Sequence, residues 1–124
     1  MRTKDFKRLF PDIYAKRQAV MRKKEEALEE FIKKVREKHG DKIDRIILYG
    51  SYARGEAEEE SDIDVLIIGD VSLDELVDIS FPILLKYGEY ISHQVMSIEH
   101  FEFLEREGYG FIKNVKREGK VIYA

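Results

Sequence analysis

The first hydrophobic pattern along the chain has the period of an α-helix. Apolar residues at spacing i, i+3, i+4 and i+7 form a stripe that packs one helix face on a core: Leu28, Phe31, Ile32 and Val35. Pro11 is a favourable start and Gly40 a favourable end, which predicts a helix over about residues 12–38. Such a helix is about 40 Å long at 1.5 Å per residue. That is longer than a domain of this size requires, so we expect its first half to project.

The remainder of the chain alternates short apolar runs with helical segments. Runs rich in β-branched and aromatic residues predict strands over residues 43–49, 62–68, 90–96 and 121–123. Helical spacing predicts helices over 73–86, 98–107 and 111–118, and a kink or early end at Pro82. This order predicts a single α/β (α+β) domain over residues 1–124. We expect a small mixed sheet of three or four strands with helices packed mainly on one face.

Length and composition narrow the class of protein. A chain of 124 residues has room for one ordinary domain that can bury its own core. It contains no cysteine, which excludes a disulfide framework, a cysteine zinc site and thiol chemistry. No apolar run approaches the roughly 20 residues of a membrane span, and no apolar stretch follows the basic N-terminus as in a secretory signal. We therefore expect a cytoplasmic protein that does not contact membranes.

Charge is distributed unevenly along the chain. Residues 1–24 contain nine Lys or Arg and two Asp, a net charge of +7, whereas the whole chain has a net charge of −3. Few aromatic residues or glycines are interleaved with these basic side chains, so direct binding of nucleic acid is disfavoured. We interpret residues 1–24 as a basic N-terminal helical arm that is solvated or that docks on an acidic partner or a second copy.

Two acidic residues mark the beginning of the second predicted strand. Asp62 and Asp64 alternate along the chain and therefore point to the same face, about 6.6 Å apart. Adjacent carboxylates repel each other unless they are exposed or a cation neutralises them. Carboxylate oxygens suit Mg²⁺, which takes one or two carboxylates together with substrate phosphates. The pair is therefore a candidate site for one or two Mg²⁺ ions.

A glycine and a serine end the preceding strand. Gly50 permits a sharp turn and a close approach to the backbone, and a short helix beginning at Ser51 would offer free N–H groups and a hydroxyl to a phosphate. Arg54 follows closely and either reaches a phosphate or forms a salt bridge with one of the nearby glutamates. A phosphate site beside a metal-binding acid pair is what a nucleoside triphosphate with Mg²⁺ requires.

The spacing of these residues resembles a known pattern. Gly50-Ser51, ten residues, and then Asp62-x-Asp64 is similar to the motif of the minimal nucleotidyltransferases in the DNA polymerase β-like superfamily. The resemblance implies the polymerase β-like nucleotidyltransferase fold and transfer of a nucleoside monophosphate to an acceptor hydroxyl. The donor would be ATP, which gives AMP, or another NTP, which gives its own monophosphate. Asp62 and Asp64 would be the catalytic metal ligands. By the same resemblance, the partner would be a HEPN-domain protein, with this chain as the antitoxin of a toxin–antitoxin pair.

One position departs from the family pattern. The resemblance implies a third carboxylate on the next strand, where it would help to bind metal and to deprotonate the acceptor. The predicted strand over 90–96 contains no Asp, and in the simplest register Ser92 takes the position of the acid. His93 and Glu89 are alternative bases, although we favour His93 as an ordinary half-buried strand histidine. Loss of the acid would weaken general-base catalysis but is compatible with nucleotide binding.

The motif and the missing third acid together lead to two main hypotheses about function. The first is a Mg²⁺-dependent nucleotidyltransferase, and the alternative is a catalytically weak or inactive module that binds nucleotide or partner. Modification of a small molecule is a weaker third, because enzymes of that kind carry a second domain that completes the acceptor site.

Overall fold

The computed structural model describes residues 3–124, with side chains described from residue 5 onwards. The elements are α1 (Thr3–Leu9), α2 (Pro11–His39), a 3₁₀ turn (Gly40–Lys42), β1 (Ile43–Tyr49), α3 (Gly50–Ala53), β2 (Ile63–Gly69), α4 (Leu73–Tyr87), β3 (Ile91–Met96), α5 (Ile98–Glu107), α6 (Gly110–Glu118) and β4 (Lys120–Tyr123). Pro82 does not end α4 as expected. The helix continues through it to Tyr87 and is terminated by Gly88 in the left-handed conformation.

The four strands form one mixed sheet in the order β3-β2-β1-β4. β1 pairs antiparallel with both β2 and β4, and β2 pairs parallel with β3. α4 provides the crossover that a parallel neighbour requires. The expected small mixed sheet is confirmed, with β3 and β4 as its edges.

Hydrophobic residues on the two faces of the sheet form two separate cores. The larger core packs α2 and α4 on one face, with Phe31, Leu76 and Ile83 meeting Ile46, Val65 and Ile91 of the strands. The smaller core packs α5 and α6 on the other face, with Phe101, Ile112 and Val115 meeting Ile47 and Leu66. The two longest helices lie on one face as expected. The second face is not bare, however, because the two short C-terminal helices cover its buried strand residues.

The first half of α2 does not project as far as the sequence suggests. From Arg17 onwards it lies against the connection between α3 and β2, where an Arg17 Nη2 donates to the carbonyl oxygen of Gly55 at 3.1 Å. Farther along, Lys24 is completely buried and Ala27 belongs to the larger core. This half of the helix therefore packs on the connection between α3 and β2.

Neither α2 nor any other helix within residues 3–124 is long and apolar enough to cross a membrane.

Candidate active site

The candidate acids lie at the edge of the sheet where β1 ends and β2 begins. Asp64 is in register with Tyr49 of β1 on one side and with Ser92 of β3 on the other. Side chains in register share a face, and this face is the one covered by α5 and α6, because Leu66, two residues farther along β2, belongs to their core. Asp62 immediately precedes β2 and is exposed, whereas Asp64 is half-buried.

The electrostatics of the pair match the repulsion expected from the sequence. Burial raises the pKa of the Asp64 carboxyl, the negative charge of Asp62 raises it further, and the positive charge of Arg54 opposes both. Burial and the charge of Asp64 likewise raise the pKa of the Tyr49 hydroxyl. Two carboxylates in this environment are costly to keep ionised without a cation. The chemistry of the donors, all oxygen, therefore fits Mg²⁺.

Gly50 forms the turn between β1 and α3 and brings the backbone close to Asp64. Its φ of +79° lies in the left-handed region that residues with a Cβ adopt at a cost. A Cβ added to Gly50 would collide with Oδ2 of Asp64 and would lie 3.1 Å from its Cγ. Glycine is thus required here for conformation and for space. Ser51, the next residue, is half-buried in the four-residue helix α3.

Arg54 lies beside the acids but is engaged in ion pairs. Its Nε is 3.1 Å from a carboxylate oxygen of Glu56, and an Nη1 is 3.0 Å from Glu118 at the end of α6. Of the two roles expected from the sequence, the salt bridge is the one formed here. A phosphate contact would require Arg54 to exchange these partners, and both glutamates are within reach of solvent.

The position expected for a third acid is occupied by Ser92, since this residue is the parallel neighbour of Asp64. His93 points to the opposite face, in register with Val65. Its Nε2 lies 3.2 Å from Oγ of Ser80, and its ring stacks on Phe31 with centroids 6.1 Å apart. Burial lowers the pKa of His93, which disfavours the charged ring. Because the ring lies on the face of the sheet opposite Asp64, the alternative of His93 as base or ligand at this site is wrong, and the ordinary strand histidine is correct.

Glu89 is likewise directed away from the candidate acids. Its carboxylate is buried and lies 2.6 Å from Nζ of Lys24, on the side of the sheet covered by α2. This pairing rules out Glu89 as a free base. Among residues 3–124, no group of three or more His, Cys, Asp or Glu side chains is arranged to hold a metal ion. Asp62 and Asp64 are thus joined by no third protein ligand in the described part of the chain.

Sequence reasoning missed Lys24, which supports the segment that leads into the acids. Besides Glu89, its Nζ donates to the carbonyl oxygens of Ser61 at 2.6 Å and Glu59 at 3.3 Å. The signal was available, because Lys24 lies four residues before Leu28 and therefore on the apolar stripe of α2. A charged residue in such a stripe needs a buried partner. Its partner on β3, 65 residues away along the chain, could not be identified from local pattern.

Comparison with known proteins shows which family this chain is similar to. A family model described as a nucleotidyltransferase domain matches residues 28–122. A relative from Methanocaldococcus jannaschii, named "Putative protein adenylyltransferase MJ0604", is 46% identical over 99 residues, which are 80% of this chain and 97% of the relative.

Solved structures add evidence on the fold. The crystal structure of a toxin–antitoxin with AMP-PNP aligns with a TM-score of 0.51 at 19% identity, covering 77% of this chain and 73% of that one. A mutant of the toxin–antitoxin MntA-HpeT aligns with a TM-score of 0.50 at 20% identity, covering 77% and 72%. These likenesses support the fold, and the match over residues 28–122 decides the family. The chain belongs to the nucleotidyltransferase domain family.

Proposed function

We propose that this protein is a Mg²⁺-dependent nucleotidyltransferase that moves AMP from ATP to an acceptor hydroxyl and releases pyrophosphate. The observation that carries the proposal is the approach of Gly50 to Asp64, which leaves no space for a Cβ between the turn and the carboxylate. Family membership supports the reaction type. The name of the M. jannaschii relative supports AMP as the transferred group and a protein as its acceptor.

Each residue of the site has a role in this proposal. Asp62 and Asp64 would hold one or two Mg²⁺ ions, which when bound neutralise charge on the phosphates. The backbone and hydroxyl at Gly50-Ser51 would hold the triphosphate, and Arg54 would leave Glu118 to contact a phosphate oxygen. The acceptor oxygen attacks the α-phosphorus as the bond to the β-phosphate breaks, and the acceptor loses a proton.

The destination of that proton distinguishes this site from the pattern expected for the family. Ser92 lies beside Asp64 but is not a base at neutral pH, and His93 and Glu89 face the other side of the sheet. We therefore assign removal of the proton to water or to a group presented with the acceptor. A slow chemical step follows, because a positioned base typically contributes 10²- to 10⁴-fold.

The partner we propose is a toxin of the HEPN class, with one of its tyrosine hydroxyls as the acceptor. Support comes from the resemblance of the motif and from the two structural neighbours, which are toxin–antitoxin proteins. A protein acceptor would supply the part of the site that the described residues lack, including any group that takes the proton.

A second candidate function is favoured by one observation. Because Ser92 replaces the expected acid beside Asp64, the protein could bind nucleotide and partner with little or no turnover. The two candidates share the metal–nucleotide site and differ only in whether a phosphorus–oxygen bond is formed.

Transfer of label from ATP labelled at the α-phosphate distinguishes the two functions. The purified protein would be incubated with Mg²⁺, labelled ATP and a HEPN-type protein, the first choice being any that a neighbouring gene is found to encode. We expect label on the partner and release of pyrophosphate, both lost in Asp64→Asn. Tight nucleotide binding with no label on any protein would support the binding module. Label that persists in Asp64→Asn would contradict the site assignment.

A further inference from the structure

An apolar stripe runs along the exposed side of α4. Its four residues are spaced by four and are among the more exposed large apolar side chains in the described residues: Leu73 at 52%, Val77 at 43%, Phe81 at 55% and Leu85 at 71%. The helix spans about 22 Å at 1.5 Å per residue. Single exposed apolar residues are ordinary, but a continuous row on one element marks an interaction surface.

The contacts of α4 show which side of the molecule the stripe occupies. One flank faces α2, where Glu75 pairs with His39 and Lys86 pairs with Glu30. The underside faces the sheet, where Ser80 contacts His93 of β3. The stripe is on the remaining flank. Because α4 packs on β3, an edge strand, this flank lies towards the open edge of the sheet.

β3 lacks the usual protection of an edge strand. Its six residues contain no proline, no Lys, Arg, Asp or Glu, and its register with β2 runs without a bulge. Edge strands usually carry such features, because unpaired backbone groups otherwise recruit another strand. The other edge, β4, is only four residues long and begins with Lys120. The unprotected edge and the apolar stripe therefore adjoin on one side of the protein.

We propose that this side is the interface of a symmetric dimer, in which α4 and β3 pack antiparallel against the same elements of a second copy. A two-fold axis satisfies both features at once, since it pairs each element with itself. The charges fit the antiparallel arrangement. Asp74 and Asp78 lie next to the stripe near the start of α4, and the only basic residue of the helix, Lys86, is turned towards Glu30 of α2. Antiparallel packing keeps the acidic ends of the two helices apart, whereas parallel packing would bring their like charges together.

The apolar stripe lies away from the candidate acids. α4 is on the face of the sheet opposite Asp64, so a second copy packed on α4 would contact neither Asp62 nor Gly50 through that helix. The inference therefore does not depend on the proposed reaction, and substitutions on the stripe can be tested without disturbing the acids.

The test is the mass of the protein in solution as a function of concentration, measured by sedimentation and by light scattering. We expect a dimer that dissociates on dilution. Phe81→Glu and, separately, Leu85→Glu should shift dissociation to at least about tenfold higher concentration, since burying an unpaired charge costs more than the roughly 1.4 kcal/mol that equals a tenfold change in affinity. Phe103→Glu, a similarly exposed aromatic on α5, is the matched control and should leave the dimer unchanged.

Cross-linking tests the antiparallel arrangement specifically. The chain contains no cysteine, and antiparallel packing would bring Leu73 of one helix near Leu85 of the other. A mixture of Leu73→Cys and Leu85→Cys should form a disulfide-linked dimer under mild oxidation, whereas Leu73→Cys alone should not, and the reverse result would contradict the arrangement. Thermal melting of each variant checks that the monomer remains folded. A wild-type monomer at every concentration would overturn the proposal. So would a dimer insensitive to both stripe variants, or a stripe needed only to bind the toxin partner.

Discussion

Gly50→Ala is the substitution that probes the geometry of the site most selectively. The added methyl group would occupy the position of the Asp64 carboxylate, colliding with Oδ2 and lying 3.1 Å and 3.2 Å from Cγ and Cβ. The atoms it meets belong to a side chain that can rotate, so the protein should fold with Asp64 displaced. Mg²⁺ accepts little deviation from octahedral geometry, and a displaced carboxylate is therefore a poor ligand.

Gly50→Ala should affect the stability of the fold only slightly and the affinity for Mg·ATP strongly. An alanine at a φ of +79° costs about 1–2 kcal/mol, partly offset by the smaller entropy of the unfolded chain. We expect a net loss of about 1 kcal/mol, or roughly 3–6 °C in melting temperature for a domain of this size. Affinity for Mg·ATP should fall by about 10- to 100-fold, which is typical when a residue that orients a metal ligand is altered.

Gly55→Ala is the matched control. Gly55 has a φ of +74°, nearly the same as Gly50, but a Cβ added there meets no atom within 4 Å. The two variants should therefore lose similar stability in thermal melts, while calorimetry with Mg·ATP should find weakened binding only for Gly50→Ala. Equal affinities for Mg·ATP in the two variants would refute the assignment of Asp64 as a ligand held against the Gly50 turn.

Three further predictions follow from the structure. Ser92→Asp places a carboxylate beside Asp64 and should raise the rate of AMP transfer about tenfold or more. Gln94→Asp, on the same face but farther along β3, is the control and should not raise it. Equal transfer rates in the two variants would refute a special role for position 92. Because the folded state raises the pKa of Asp64, ionisation of this carboxyl opposes folding. In the absence of metal, Asp64→Asn should therefore raise the melting temperature at neutral pH. This gain should disappear as the pH falls below the ordinary Asp pKa of about 3.9, where the carboxyl is protonated in both states. A gain that persists at low pH would contradict this cause. Lys24→Met leaves the buried Glu89 unpaired and should cost about 3–5 kcal/mol in urea unfolding. Adding Glu89→Leu should recover only part of this loss, because the carbonyl oxygens of Ser61 and Glu59 still lack the Lys24 donor. A small loss in Lys24→Met would show that the pair is accessible to water.

The positions of the strands and helices could be predicted because local signals were consistent. A short apolar run that ends at a glycine predicted β1 over residues 43–49, as observed. Helices α4 and α5 each begin after a serine N-cap and end at a glycine in the left-handed conformation. Pro82 was misleading, because a proline removes one helical hydrogen bond, yet the packing of α4 in the larger core keeps the helix continuous. Such local signals predict a helix or strand well when the residues that begin and end it are close together in the sequence.

The candidate site was predictable to the same extent and for the same reason. Asp62, Asp64 and Gly50 belong to one short segment, so their meeting follows from a strand, a turn and a strand. The pairing of Lys24 with Glu89 joins residues 65 apart and depends on how α2 crosses the sheet. The packing of α5 and α6 on the second face also depends on tertiary context, since their spacing shows an apolar side without showing which face of the sheet it meets.

Binding of ATP to the double variant Asp62→Asn and Asp64→Asn tests the central claim most directly. Isothermal titration calorimetry would compare it with the wild type, with and without Mg²⁺, after melting curves have shown that both proteins are folded. We predict that the wild type binds ATP in a Mg²⁺-dependent manner and that the double variant loses this dependence. Mg²⁺-dependent binding of equal affinity in both proteins would contradict the account and place the metal–nucleotide site elsewhere.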